Sequence, residues 1–357
     1  MPLPRSPNKR AALKVLAPFP FILAARSSLR LHSPHHAKPQ AHHTPQGFCN
    51  PAPDFVEARG WQFALWILRR ALHLFFRPEP VVIPRIDNDG SWLRTSHGHD
   101  TLTWIGHATC LLQMEGTTIL TDPVWARRAG PFTHLGSVRV SDPGLKLEDL
   151  PDVDMVVISH NHYDHLDRDA IMRLAARNSR TVFCVPLGLA DWMRERGASV
   201  VREFDWWDEA VIDGLTVTCT PAQHFSGRGL ADRNRTLWAA WSIKGKKKSV
   251  FFGGDSGYAR FYKEIGQRLG PFDLAVLPIG AYAPRHLMRP IHMDPAEAVQ
   301  ASLDLEARAM LGTHWGTFQL SDERADDPPK KMEEAVRSRN LAHEHFWTFM
   351  VGETRIL

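Results

Sequence analysis

The fold class this sequence predicts is α/β, in the α+β sense: two mixed sheets packed together and covered by helices. Three observations predict it. From Thr101 onward, short β-branched and apolar runs alternate with stretches of helical spacing. The pattern occurs twice, in two similar halves. Hydrophobic residues make up 43% and charged residues 23% of the 357, an ordinary globular balance with ample material for a core.

Residues 102–104, 110–114 and 117–121 read as strands, with Glu115-Gly116 as a hairpin turn. Residues 155–159 form a continuous apolar strand, 167–176 a helix and 181–185 a strand. Residues 187–196 then form a helix that Gly197 ends. In the second half, strands are expected at 215–220, 239–244, 249–253, 274–278 and 309–313. Helices are expected at 260–269, 294–305 and 330–337. Lys246-Lys247-Lys248, just after Gly245, reads as a solvated hairpin tip.

The chain divides into three parts. Residues 1–53 hold seven basic side chains and no acid, and are rich in Pro, His and Ser. They read as a disordered or targeting segment; a transit peptide, an export signal and a misassigned start codon all fit. Their histidines His32, His35, His36, His42 and His43 read as solvated tail residues. Residues 54–100 contain an aromatic-rich helix over 61–77 and a stiff linker with Pro78, Pro80 and Pro84. That helix has two readings, packed on the main domain or lying at a membrane interface. Residues 101–357 form the main domain. The 36 basic and 39 acidic residues beyond the tail argue against a nucleic-acid partner. No apolar run reaches the ~18–20 residues of a membrane span. The four cysteines are too far apart for a Cys zinc site. Cys110, Cys184 and Cys219 read as buried reduced thiols, which favours a reducing compartment.

The chemistry is concentrated in Ser159-His160-Asn161-His162-Tyr163-Asp164-His165-Leu166-Asp167, directly after the apolar strand at 155–158. Four potential ligands in six residues at a strand's carboxyl end are not a core feature, because burying them unpaired costs several kcal/mol. Imidazole and carboxylate suit zinc, and also iron or manganese. The i, i+2 spacing aims His160 and His162 at one point, while Asp164 and His165 turn toward a second. Further ligands must come from other strand ends. His224, Asp255 and His314 each lie just past an apolar run, where ligands gather in open sheets.

With these residues the chain resembles the metallo-β-lactamase superfamily, including Thr121-Asp122-Pro123 after a strand. Trp104-Ile105-Gly106-His107-Ala108-Thr109, Asp205-Trp206-Trp207, Pro278-Ile279-Gly280-Ala281-Tyr282 and Gly312-Thr313-His314-Trp315-Gly316-Thr317 narrow the likeness. They resemble the N-acyl-phosphatidylethanolamine-hydrolysing phospholipase D family over roughly residues 47–353. The resemblance implies the αββα four-layer sandwich. It implies two zinc ions per subunit, one on His160, His162 and His224, the other on Asp164, His165 and His314, with Asp255 bridging. Asp122 would orient a ligand histidine from behind. Tyr163 and His292 match positions that touch the phospholipid headgroup, and His292 would hydrogen-bond a phosphate oxygen or protonate the leaving alkoxide. The implied reaction yields phosphatidic acid and an N-acylethanolamine. The implied setting is intracellular and peripheral to a membrane surface, with a homodimer as the assembly. The stretch Gln223-His224-Phe225-Ser226-Gly227-Arg228-Gly229 departs from the animal members, which carry a bulkier lysine-containing run associated with bile-acid binding. Rival readings are a hydrolase of another phosphodiester or a lactone, a non-catalytic membrane-associated protein of the same fold, and a true β-lactamase.

Overall fold

Alternation along each strand decides how this chain layers, because successive side chains of a strand face opposite sides of its sheet. The computed structural model describes residues 40–51, 60–73, 81–95, 98–132, 134–229 and 231–357. A small hairpin, β1 (His43–Thr44) and β2 (Gly47–Phe48), precedes helices α1 (Gly60–His73) and α2 (Ser91–Thr95). A meander follows: β3 (Thr101–Gly106), β4 (Thr109–Met114) and β5 (Thr117–Thr121). Its second turn is Glu115-Gly116, both residues having positive φ (51° and 86°), the geometry that matches strand twist. The separate hairpin β6 (Arg128–Phe132) and β7 (Leu135–Val138) comes next. Then come β8 (Met155–Val157), α3 (Arg168–Arg177), β9 (Val182–Pro186), α4 (Ala190–Arg194) and β10 (Val200–Phe204). The second half runs β11 (Glu209–Ile212), β12 (Leu215–Thr220), β13 (Ala240–Lys244), β14 (Ser249–Phe252), α5 (Phe261–Leu269), β15 (Leu274–Pro278) and α6 (Arg285–Met288). It ends with α7 (Pro295–Asp304), β16 (Ala309–Thr313), α8 (Asp327–Ser338), β17 (Phe346–Trp347) and β18 (Thr354–Ile356).

The strands make two seven-stranded mixed sheets, ordered β10-β9-β8-β5-β4-β3-β18 and β11-β12-β13-β14-β15-β16-β17. Cys110, Leu112, Ile119, Met155, Val157 and Cys184 of the first sheet share one core with Val217, Cys219, Trp241 and Ile243 of the second. Their neighbours Leu111, Leu120, Val156 and Phe183 face the other way, onto Ile171 and Leu174 of α3. Helices α5, α7 and α8 cover the second sheet through Ile265, Val299 and Val336. The result is the expected αββα sandwich.

The strands expected at 117–121, 215–220, 274–278 and 309–313 have those bounds. Eight strands were not suggested by the sequence: the small hairpins β1–β2 and β6–β7, and β10, β11, β17 and β18, which are the four edges of the two large sheets. Edge strands are short and half-exposed, and therefore lack the apolar run that marks an inner strand. The helix expected at 61–77 is described over 60–73. Phe63 and Trp66 pack on Leu287, Met288 and Ile291, and Trp66 Nε1 donates to Asp322 Oδ2 at 2.9 Å. Trp61, Ile67 and Leu68 stay 62, 59 and 57% exposed. The tip at Lys246-Lys247-Lys248 is fastened by all three backbone N–H groups donating to the Glu115 carboxylate of the other sheet's hairpin.

One expectation is corrected. His42 and His43 are not solvated: His42 is buried at 4% exposure and both rings meet the buried Asp205. The physical reason is a carboxylate after β10 with no lysine or arginine partner among the described residues. His32, His35 and His36 lie outside the described residues.

Candidate metal centre

Every candidate ligand follows the carboxyl end of a strand, and so does Asp122 behind them. Asp122 follows β5, His160 to His165 follow β8, His224 follows β12, Asp255 follows β14 and His314 follows β16. β5 and β8 run parallel in one sheet and β14, β15 and β16 parallel in the other, so their ends open toward a common crevice. Backbone geometry turns the chain there: Asp122 and His314 adopt positive φ (32° and 61°), a strained region that clusters at functional sites. Gly254, at φ 55°, lets the turn before Asp255 press on the first sheet; a Cβ there would lie 2.4 Å from Ser159 Cβ.

The predicted residues converge in two groups. In the first, His162 Nδ1 lies 2.7 Å from His160 Nε2 and 3.2 Å from His224 Nε2. In the second, Asp164 Oδ2 lies 3.5 Å from His165 Nε2 and 3.6 Å from His314 Nε2. Asp255 reaches both: Oδ1 is 3.0 Å from His314 Nε2, and Oδ2 is 3.1 Å from His165, 3.7 Å from His224 and 4.0 Å from His160. His292 points in beside them, its Nδ1 3.9 Å from Asp255 Oδ2 and without a hydrogen-bond partner among the described residues. Tyr163 lines the turn with its hydroxyl committed to the Arg228 carbonyl at 2.8 Å and its ring under the Arg228 guanidinium.

The partners behind the ligands set their tautomers. Asp122 is wholly buried; its Oδ1 accepts from Ser159 N and its Oδ2 from Ser159 Oγ and from His165 Nδ1 at 2.7 Å. With its proton on Asp122, Ser159 Oγ can only accept from His160 Nδ1. His224 Nδ1 must likewise donate to the Ile291 carbonyl. The Nε2 atoms of His160, His165 and His224 are thereby turned inward as acceptors when the rings are neutral. Lone pairs of His160 and His224 both face His162 Nδ1, where one N–H could bond well to only one of them. A cation satisfies all three, so the donor set fits a divalent metal.

The electrostatics agree. Burial, reinforced by His314, holds His107 down at about 3. Burial and then His224 hold His162 at about 3. Burial lowers His224 to about 4 against the pull of Asp255. Burial also opposes charge on His314, yet Asp255 and Asp164 raise it to about 9. His165 rises well above its usual range on the same carboxylates. His162 and His224 are therefore neutral, as ligands must be, whereas His165 and His314 hold protons that a cation beside Asp164 and Asp255 would displace.

His107 was missed as a site residue. It follows β3, has φ 53°, and places Nε2 2.9 Å from Asp164 Oδ2 with its ring 4.0 Å from that of His314. His107 is therefore a fourth member of the second group. The available signals were its place just after a strand and its position in Trp104-Ile105-Gly106-His107-Ala108-Thr109, one of the stretches that carry the family resemblance.

Comparison with known proteins agrees with this fold. A family model described as a β-lactamase superfamily domain matches residues 117–315. A Caenorhabditis elegans protein called N-acyl-phosphatidylethanolamine-hydrolyzing phospholipase D 1 is 44% identical over 263 residues, 70% of this chain and 74% of that one. A Saccharomyces cerevisiae protein called a mitochondrial N-acyl-phosphatidylethanolamine-hydrolyzing phospholipase D is 34% identical over 238 residues, 65% of this chain and 50% of that one. The crystal structure of a possible metal-dependent hydrolase from Veillonella parvula matches with a TM-score of 0.59, covering 73% of this chain and 100% of that chain; at 19% identity this is a likeness of fold alone.

Proposed function

The chain belongs to the N-acyl-phosphatidylethanolamine-hydrolysing phospholipase D family of the β-lactamase superfamily and is a metal-dependent phosphodiester hydrolase, and we propose that its substrate is N-acyl-phosphatidylethanolamine and its metal zinc, two ions per subunit. The products are phosphatidic acid and an N-acylethanolamine. The observation that carries the reading is Asp255, one carboxylate within 3.0–4.0 Å of imidazoles from both groups. His160, His162 and His224 would hold one ion, Asp164, His165 and His314 the other, with Asp255 between them. When bound, the ions supply Lewis-acid charge at the phosphoryl oxygens and acidify a water.

The chain's own residues do the rest. Asp122 and Ser159 hold His165 and His160 with their Nε2 atoms forward. His107 fixes Asp164 by a 2.9 Å contact. Beside Asp255, His292 Nδ1 has no hydrogen-bond partner among the described residues and the side chain is 12% exposed, a position suited to a phosphate oxygen or the leaving alkoxide. A cavity of about 430 Å³, lined by Phe63, Phe225, Leu287, Ile291 and Arg233, adjoins the site through Phe225, whose ring lies 4.4 Å from that of His162. Its apolar wall suits an acyl chain. The exposed edge of α1 beside it, Trp61, Ile67 and Leu68, suits a membrane interface. No helix among the described residues is long and apolar enough to cross a membrane. Residues 1–39, which hold all seven basic side chains of the tail and no acid, suit a targeting segment, in keeping with the yeast relative's mitochondrial name.

The test is product analysis. Full-length, zinc-loaded protein is mixed with vesicles containing N-acyl-phosphatidylethanolamine, with Asp164→Asn as control, and both products are sought by mass spectrometry. Both products from the wild type alone support the reading. Neither product from a protein with two zincs bound moves the substrate to another phosphodiester or a lactone.

A further inference from the structure

A second set of metal donors converges away from the residues assigned to catalysis. His42 and His43 stand at the start of the β1–β2 hairpin, and Asp205 stands just past β10, 163 positions from His42. His42 Nε2 lies 2.6 Å from Asp205 Oδ1 and His43 Nε2 lies 2.9 Å from Oδ2. One donor atom from each residue falls within 4.8 Å of the others. The rings are held by packing: His42 stacks on Trp206 at 4.1 Å, and His43 meets Phe48 edge-on at 5.5 Å. The carboxylate is held by its backbone surroundings, with Trp206 N donating to Oδ1 and Asp205 N donating to Asp208 Oδ2, both at 2.8 Å.

Asp205 is fully buried, and a buried carboxylate is costly unless a cation matches it. Among the described residues its ion-pair partners are these two imidazoles alone. Two imidazole nitrogens and a carboxylate are a donor set for borderline divalent cations. We propose that His42, His43 and Asp205 form a further divalent-cation site, with zinc as its ion. Tetrahedral ligands at ~2.0–2.1 Å from zinc stand roughly 3.3 Å apart, so the pairs need open by less than an ångström.

The ion fastens residues 40–51 to the domain, and that segment reaches the catalytic loop. Asn50 Nδ2 donates to the carbonyl of the ligand His224 at 2.8 Å, and Phe48 N donates to Asn234 O at 2.8 Å. The site is structural, and its effect on His224 is one of positioning.

The experiment counts metal in the full-length protein. Wild type, His43→Gln, the catalytic-ligand variant His160→Ala/His165→Ala, and the combined triple variant are loaded with zinc and dialysed. Each is then measured by plasma mass spectrometry, with circular dichroism as the folding control. The expected result is one equivalent fewer in folded His43→Gln than in wild type. The catalytic variant should keep one equivalent that the triple variant loses. Equal zinc in wild type and folded His43→Gln overturns the proposal. So does a catalytic variant stripped of all zinc, or one whose zinc survives in the triple variant. If His43→Gln does not fold, the zinc content of the catalytic variant decides, since its His42, His43 and Asp205 are intact. The count is independent of turnover, so failure of the site and failure of the proposed substrate are read separately.

Discussion

Two buried clusters of imidazole and carboxylate stand in this chain, and they are assembled in opposite ways. At the metal centre, His160, His162, Asp164 and His165 come from six consecutive residues after β8. At the second cluster, His42 and His43 meet Asp205 across more than 160 positions. The first cluster exists in outline wherever its turn forms, because strand-end geometry alone aims the side chains. The second exists only once the hairpin docks on the end of β10. A local cluster therefore tolerates loss of distant support, whereas a non-local one fails with its docking.

The largest test of that difference lies at the one carboxylate both groups of the metal centre share. Asp255→Ala should lower phosphodiester turnover on the order of 1,000-fold, the upper range for removing one electrostatic stabiliser. Steady-state kinetics with metal analysis measures it, and turnover within tenfold of wild type would break the reading of Asp255 as shared. Next in size is Asp122→Asn, which changes a carboxylate that touches His165 and Ser159 but stands behind the ligands. It should weaken metal affinity by ~10–100-fold, read by competition with a chromophoric chelator. His107→Phe removes the 2.9 Å partner of Asp164 and should cost about tenfold in the same assay; an unchanged affinity would mean His107 only fills space.

The link between the clusters is weaker. Asn50→Ala deletes one side-chain hydrogen bond to the His224 carbonyl, worth about 1 kcal/mol, and should weaken metal affinity about fivefold with the fold intact. The smallest effect concerns the thiols. Burial pushes Cys110, Cys184 and Cys219 well above the usual range, so native protein at pH 8 should titrate with Ellman's reagent at Cys49 alone. More than one reactive thiol before unfolding would show that the inter-sheet core opens.

Much of the metal centre is legible in the order of residues. Seven ligand candidates and Asp122 stand out, each because an apolar run ends shortly before a His or Asp. The core strands are legible because they are apolar and β-branched throughout. What escapes such reading has a common cause. The strand end before His107 does not by itself separate a ligand neighbour from a buried histidine. The edge strands β10, β11, β17 and β18 are paired on one side only, so little of their sequence is constrained by burial. His42 and His43 look like the rest of a basic tail, since the charge they meet lies 163 positions from His42.

Chain order thus decides whatever a few residues of backbone can bring together: strand periods, the Glu115-Gly116 turn, and the H-x-H-x-D-H cluster. Packing alone decides the rest. The β5, β8, β12, β14 and β16 ends face one another only after two sheets close on a shared core. Only then do Asp122 and Ser159 reach behind His165 and His160 to set their tautomers. The physical reason is range: backbone geometry acts over a turn or two, whereas burying a carboxylate such as Asp205 or Asp255 forces partners from anywhere in the chain to meet it.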